Sequence, residues 1–369
     1  MKNVKSLNKN LRKRRERKKK KRERKIQRRR HSIERVGLKC EPGGGRNRRD
    51  RRNPETAVVH VTHRVIEGLP LVARLFMRLI MLGIIARAQY LHPVRLSHFL
   101  FMANHPHLLI AGTLEHVSAF MNYLDGELAK ILKRLCPKKY QSTVFGNLRF
   151  KEERLYTAED VLRKIVYIYA NPSAAGLVDQ IEDYPGINSW NMFYTGGHTI
   201  EAPWIPPRLV KPVQKKLKKA QDRALYKDLK AEARSTHTIT IAPYAWKKFF
   251  AESKDWTDEH IFNEIKERVK TRELEHYKNR STQCLGAKKL KAACIWANYL
   301  PQKRGITPFL SCHDPELRKE LIASYRAFCA ACKEAWIRFK SGELDVEWPP
   351  GCIIPPRAWR PTTSPVQPR

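Results

Sequence analysis

At Ala57 the sequence changes character: a stretch dominated by Lys and Arg gives way to AVVHVTHRV, in which apolar residues recur at a period of two. That change decides where a fold can begin. Residues 1–55 hold 25 Lys/Arg against 6 Asp/Glu, a composition that cannot bury enough apolar surface to offset the entropy of ordering the chain. Residues 1–56 therefore read as a mobile basic arm. The run from Ala57 reads as a first strand, which needs a neighbouring strand and a cover for its apolar side.

The pattern downstream supplies both. An apolar helix is expected at 71–90, a strand at 94–102, a third strand at about 106–112, and a helix at 114–135, where Leu114, Val117, Met121, Leu124, Leu128, Ile131 and Leu135 recur at spacings of three and four. A fourth strand near 144–150 (VFGNLRF) leads into a helix from about Ala158 to Ala170. The order is βαββαβ followed by one more helix. This is the order of an α+β, ferredoxin-like sandwich, an antiparallel sheet with helices packed on one face. Residues 57–195 are expected to form this domain, and 196–369 a basic, mostly helical accessory region. Within that region a basic helix is expected at 207–234, a strand at 236–241 (THTITI), a helix opened by Thr257, and a helix from Asp314 to about Lys340 that Gly342 stops.

The net charge narrows the partners. It is +37, of which the arm holds +19 and the remaining 314 residues +18, so the folded part is itself basic. Neutralising phosphates and releasing their counterions is what such a surface gains most from, which makes nucleic acid the first expected partner. Arg14, Arg15, Lys18 and Lys19 stand in the densest part of the arm as phosphate contacts. The segment 71–90 is about as long as a membrane span, but Arg74, Arg78 and Arg87 would each be costly in lipid; a buried helix is expected, and no membrane. The opening residues carry no apolar run of the secretory kind, so a cytoplasmic, nucleoid-associated protein is expected. Eight scattered cysteines argue for reduced thiols. Leu317, Leu321, Phe328 and Cys332 share one helical face, so the pair Cys329/Cys332 reads as core packing rather than zinc binding.

Two segments carry chemistry. In an extended chain residues i and i+2 point to the same face, so His105 and His107 can converge on one ion. In the helix EDVLRKIVYIYANP, Leu162, Ile165, Val166 and Tyr169 form the stripe that should face the sheet, while Arg163, Tyr167 and Asn171 stack four residues apart on a polar line. Helical phase thus singles out Tyr167 over Tyr169. A nucleophile, a cation and a neutral oxygen donor on one line suit attack on a phosphate, with Arg163 as the cation.

These residues also resemble a known family. M-A-N-H-P-H-L-L-I (102–110) resembles the M-x-N-H-x-H-L-L box of the HUH single-tyrosine transposases, of insertion-sequence type. K-I-V-Y-I-Y-A-N-P-S-A-A-G-L-V (164–178) resembles the Y-x-x-x-N-P-x-x-A-G-L-V box of the REP-associated tyrosine transposases. HVTHRVIEGLP (60–70) and YPGINSW (184–190) are similar too, so the resemblance covers roughly 57–195; LGAKK (285–289) and WPPG (348–351) are fainter traces.

The resemblance implies that His105 and His107 bind a divalent ion, magnesium or manganese, with Asn171 as third ligand, and that Tyr167 is the nucleophile. The chemistry suits the residue types: a phenol of pKa about 10 is a weak nucleophile near neutrality, so an ion must polarise the phosphate. The implied activity is cleavage and rejoining of single-stranded DNA at hairpin-forming repeats through a 5′-phosphotyrosine link, without ATP, by a monomer or a dimer. The sequence departs from the family at Pro106, where a bulky aliphatic is usual. A proline lacks the strand's backbone donor, so Pro106 is expected at the strand's first residue. A relative that has lost catalysis and only binds structured DNA or RNA, and a ribosome-associated or RNA-packaging basic protein, are the rival readings.

Overall fold

The computed structural model describes residues 57–65, 74–102, 104–140, 144–145, 150–213, 219–293, 310, 312–343 and 345–352. The expected basic arm, 1–56, lies outside them. The chain divides into two compact units, residues 51–327 and a smaller one to which 328–352 belong. In the smaller unit Ala335, Phe339 and Val346 form an apolar cluster with Trp336 and Trp348 against it.

The larger unit opens with β1 (Ala57–Thr62), α1 (Leu75–Leu91), β2 (Arg95–Phe101), β3 (Pro106–Gly112), α2 (Leu114–Leu135), β4 (Lys151–Arg154) and α3 (Ala158–Ala174). The four strands make an antiparallel sheet in the order β2-β3-β1-β4. Nearly every residue of β1, β2 and β3 is buried, so both faces of the sheet are covered. Pro106 is indeed the first residue of β3; its ladder with β1 starts at His107, opposite Thr62, so the missing N–H falls where no β1 partner needs it. Helices begin where the caps are: Thr113 Oγ1 accepts from the His116 N–H, Thr157 Oγ1 from the Asp160 N–H, and Thr257 Oγ1 from the His260 N–H.

The fourth strand sits later than the apolar run VFGNLRF suggests. Val65 and Phe145 form one isolated bridge, and the ladder with β1 is made by Lys151–Arg154, four charged residues at the edge of the sheet. Residues 146–149 of the expected strand lie outside the described set. Charge on an edge strand blocks pairing with other chains, and it also disguises the strand in the sequence.

The remainder consists of α4 (Trp190–Tyr194), β5 (Thr199–Trp204), α5 (Lys219–Ala231), β6 (Ser235–Thr240), α6 (Asp258–Asn279), α7 (Ala287–Lys291) and α8 (Pro315–Lys340). The basic segment 207–234 is thus helical over a shorter stretch than expected. THTITI is a strand, paired antiparallel with β5. This strand pair explains α1, a helix apolar nearly all round: a Cβ on Gly83 would come within 2.2 Å of the Pro203 carbonyl oxygen, so the glycine lets strand backbone lie directly on the helix. The outer edge of β2 is covered by later chain. The Phe101 N–H donates to the Ile187 carbonyl, Ser189 to Phe99, and Ala242 to Leu96. Among the described residues no helix is long and apolar enough to cross a membrane.

Candidate active site

The site is built from a row of side chains across three strands. Glu153 on β4 stands directly opposite His60 on β1, and His60 stands opposite Leu109 on β3. Residues opposite each other in an antiparallel ladder share a face, and so do residues two apart, which places Glu153, His60 and His107 on one face as a diagonal row. The side chains meet along it. His60 Nδ1 lies 3.3 Å from Glu153 Oε2, and His60 Nε2 lies 3.0 Å from His107 Nδ1.

Helix α3 lays its polar line over this row. Leu162, Ile165 and Tyr169 are buried as the helical phase requires, Val166 is half-buried, and Tyr167 is 51% exposed. The Tyr167 ring meets His107 edge-on with centroids 5.5 Å apart, and His60 at 6.2 Å. One turn on, Asn171 Nδ2 lies 3.0 Å from His107 Nε2. Tyr169 turns the other way: its hydroxyl is held between His98 Nδ1 (2.8 Å) and Ser189 Oγ (2.9 Å), and burial pushes its pKa far up. The helix runs through Pro172 to Ala174, so Asn171 belongs to the last turn.

The two ends of the row fix the direction of every hydrogen bond in it. Burial alone would raise the pKa of Glu153, but the His60 hydrogen bond and the nearby Lys164 ammonium outweigh it and bring the carboxyl down to about 2, so Glu153 can only accept. Lys164 Nζ is 3.1 Å from Glu153 Oε1. At the other end the Asn171 NH₂ can only donate. His107 Nε2 must therefore accept from Asn171, His107 Nδ1–H donates to His60 Nε2, and His60 Nδ1–H donates to Glu153. Burial lowers the pKa of both imidazoles, while Glu153 pulls that of His60 the other way.

His105 reaches the same tautomer by a shorter route. Its Nδ1 lies 2.6 Å from Asn104 Oδ1, an acceptor, so Nδ1 carries the proton and Nε2 the lone pair. Burial, with Arg64 adding to it, pushes its pKa down to about 4. The His105 and His107 rings are 4.6 Å apart. Among the described residues no three His, Cys, Asp or Glu side chains are grouped to hold a metal. What the site offers is two neutral imidazoles with Nε2 lone pairs, and the Asn171 amide, which can turn over to present its oxygen. That donor set fits a divalent ion that keeps water or phosphate oxygens on its other positions.

Arg163 is exposed and bound by Glu159, its Nε 2.7 Å from Oε1, and Arg268 on α6 grips the same carboxylate at 2.7 and 2.9 Å. The cation set over the Tyr167 ring is Lys164, its Nζ 5.3 Å from the centroid. Arg14, Arg15, Lys18 and Lys19 lie outside the described residues. Sequence reasoning missed His60, Glu153 and Lys164. His60 was visible, with His63, inside the period-two run AVVHVTHRV, but only the sheet's order brings its face to His107. Glu153 gave no signal, because a charged tetrapeptide reads as solvated.

No family model and no curated protein matches the chain. Among solved structures, one of a REP-associated tyrosine transposase bound to a REP hairpin is similar at 18% identity over 39% of this chain and 81% of that one, with a TM-score of 0.29.

Proposed function

We propose that this chain is a metal-dependent DNA strand transferase of the HUH single-tyrosine type, REP-associated, acting on single-stranded DNA at hairpin-forming repeats, and that its βαββαβ core is a ferredoxin-like sandwich. The observation that carries the reading is the exposed phenol of Tyr167 held against His107, with Asn171 of the same helix hydrogen-bonded to that histidine's Nε2. A buried tyrosine such as Tyr169 could not reach a strand; a half-exposed one beside a lysine can.

Tyr167 Oη attacks the scissile phosphorus. The new bond joins phosphorus to Oη, the bond to the 3′ oxygen breaks, the phenolic proton passes to water, and the departing oxygen takes a proton to leave as a 3′-OH. A 5′-phosphotyrosine remains, and a second 3′-OH reverses the step and joins strands. Lys164, paired with Glu153, sets its ammonium over the Tyr167 ring face and helps to hold that ring in place. A magnesium or manganese ion held by His105, His107 and Asn171 would supply Lewis-acid polarisation of the phosphate. Sequence-independent grip comes from the basic surface.

The test is a covalent adduct on a denaturing gel. The full chain, incubated with manganese and a hairpin-tailed single-stranded oligonucleotide, is expected to yield a protein–DNA band that Tyr167→Phe abolishes. A wild type that binds the hairpin and forms no adduct, or an adduct that survives Tyr167→Phe, sinks the proposal.

A further inference from the structure

We infer that His60 is a positioning residue: anchored by Glu153, it holds His107 in the one tautomer and ring orientation that present Nε2 to the ion. The inference rests on the metal-dependent reading above and adds to it the device that makes His107 a ligand. A neutral imidazole has one lone pair, and it can reside on either ring nitrogen. If His107 carried its proton on Nε2, it would offer Asn171 and the ion an N–H instead of a donor atom. The choice is made by whatever accepts from Nδ1, and the structure puts His60 Nε2 there, at 3.0 Å.

His60 can accept only while its own proton sits on Nδ1, which is what Glu153 secures from 3.3 Å. Glu153 in turn is held by Lys164 at 3.1 Å from its other oxygen, so a carboxylate and two imidazoles run in line toward the Tyr167 side. The two rings are joined edge to edge through the Nε2–Nδ1 contact and lie nearly in one plane, 7° apart with centroids at 5.2 Å, which fixes the plane of His107 as well as its tautomer. His105 needs no such relay, since the neighbouring Asn104 performs the same service from within its own turn. The same backing of a ligand histidine by an acceptor is general in metal sites, where its loss weakens binding by about 10- to 100-fold.

The experiment is manganese binding to the full chain without DNA, read from the loss of the free-ion electron paramagnetic resonance signal. Alongside it, ¹⁵N nuclear magnetic resonance of the histidine rings reads which nitrogen of His107 is protonated. His60→Leu removes the acceptor; His60→Gln keeps one, because its amide oxygen can accept from His107 while its NH₂ donates to Glu153. His60→Leu is expected to weaken manganese binding by roughly 10- to 100-fold and to lose the Nδ1–H tautomer of His107. His60→Gln should stay close to wild type on both, and Glu153→Gln, on the short edge strand, should weaken binding less than His60→Leu and guards against a leucine that fails to fold. Wild-type affinity and an unchanged His107 tautomer in His60→Leu and Glu153→Gln overturn the role of His60 alone. A wild type that binds no manganese overturns the metal reading and this inference with it.

Discussion

Two tyrosines two residues apart on α3 meet opposite fates, and the difference is phase. Tyr169 is sealed between His98 and Ser189, so Tyr169→Phe leaves those buried groups short of a partner and should cost about 1–3 kcal/mol of stability in a thermal or urea melt. The same variant should keep the DNA adduct that Tyr167→Phe loses, which separates packing from chemistry within one helical turn. Tyr167, Asn171 and the pair His105/His107 were legible because helix and strand periods decide which side chains share a face. Arg163 was legible as a neighbour on the same line, but spacing along one helix says nothing of Glu159 and Arg268, which claim its charge. His60 and Glu153 depend on strand register, a property of two or three segments together, and register cannot be read from either segment alone.

Among the elements, helices were read more securely than strands. The 114–135 helix lies where its apolar spacing puts it, whereas the fourth strand was assigned to the apolar run before the charged one that pairs. The antiparallel partner of THTITI was missed because TIEAPW has no alternation and contains a proline. Helix α6 carries a consequence that melts can check. Glu273, at its inner face, accepts from the Ile181 N–H, yet burial, with Glu182 and Asp183 adding to it, raises its pKa to about 8. In the unfolded chain the same carboxyl has a pKa near its ordinary value of about 4.3. A folded-state value above the unfolded one means that stability is full below the lower value and falls as pH rises through the interval to about 8. Glu273→Gln removes that loss, so its melting temperature should exceed wild type at pH 8.5 and match or trail it at pH 5. An equal shift at both values would show that the carboxyl is ionised in the folded state throughout.

At the scale of the molecule, charge is the dominant property. Residues 1–55 hold +19 of the +37, and the rest of the chain is basic in its own right. Removal of the arm should lower affinity for single-stranded DNA of any sequence and flatten the dependence of affinity on salt, while the adduct at saturating DNA is retained. Binding titrations at several salt concentrations check this; an unchanged slope would mean that the arm makes no phosphate contacts. The sheet has two edges with unlike protection. One is β4, short and charged; the other is β2, mostly apolar and, among the described residues, sealed by chain around Ile187 to Ser189 and at Ala242. A ribosome makes about 5–20 residues per second, so β2 has left the synthesis centre on the order of ten seconds before Ala242 exists to close it. For that interval the newborn protein carries an open, greasy strand, and its yield in a cell should hinge on what escorts it through those seconds as much as on how stable it finally becomes.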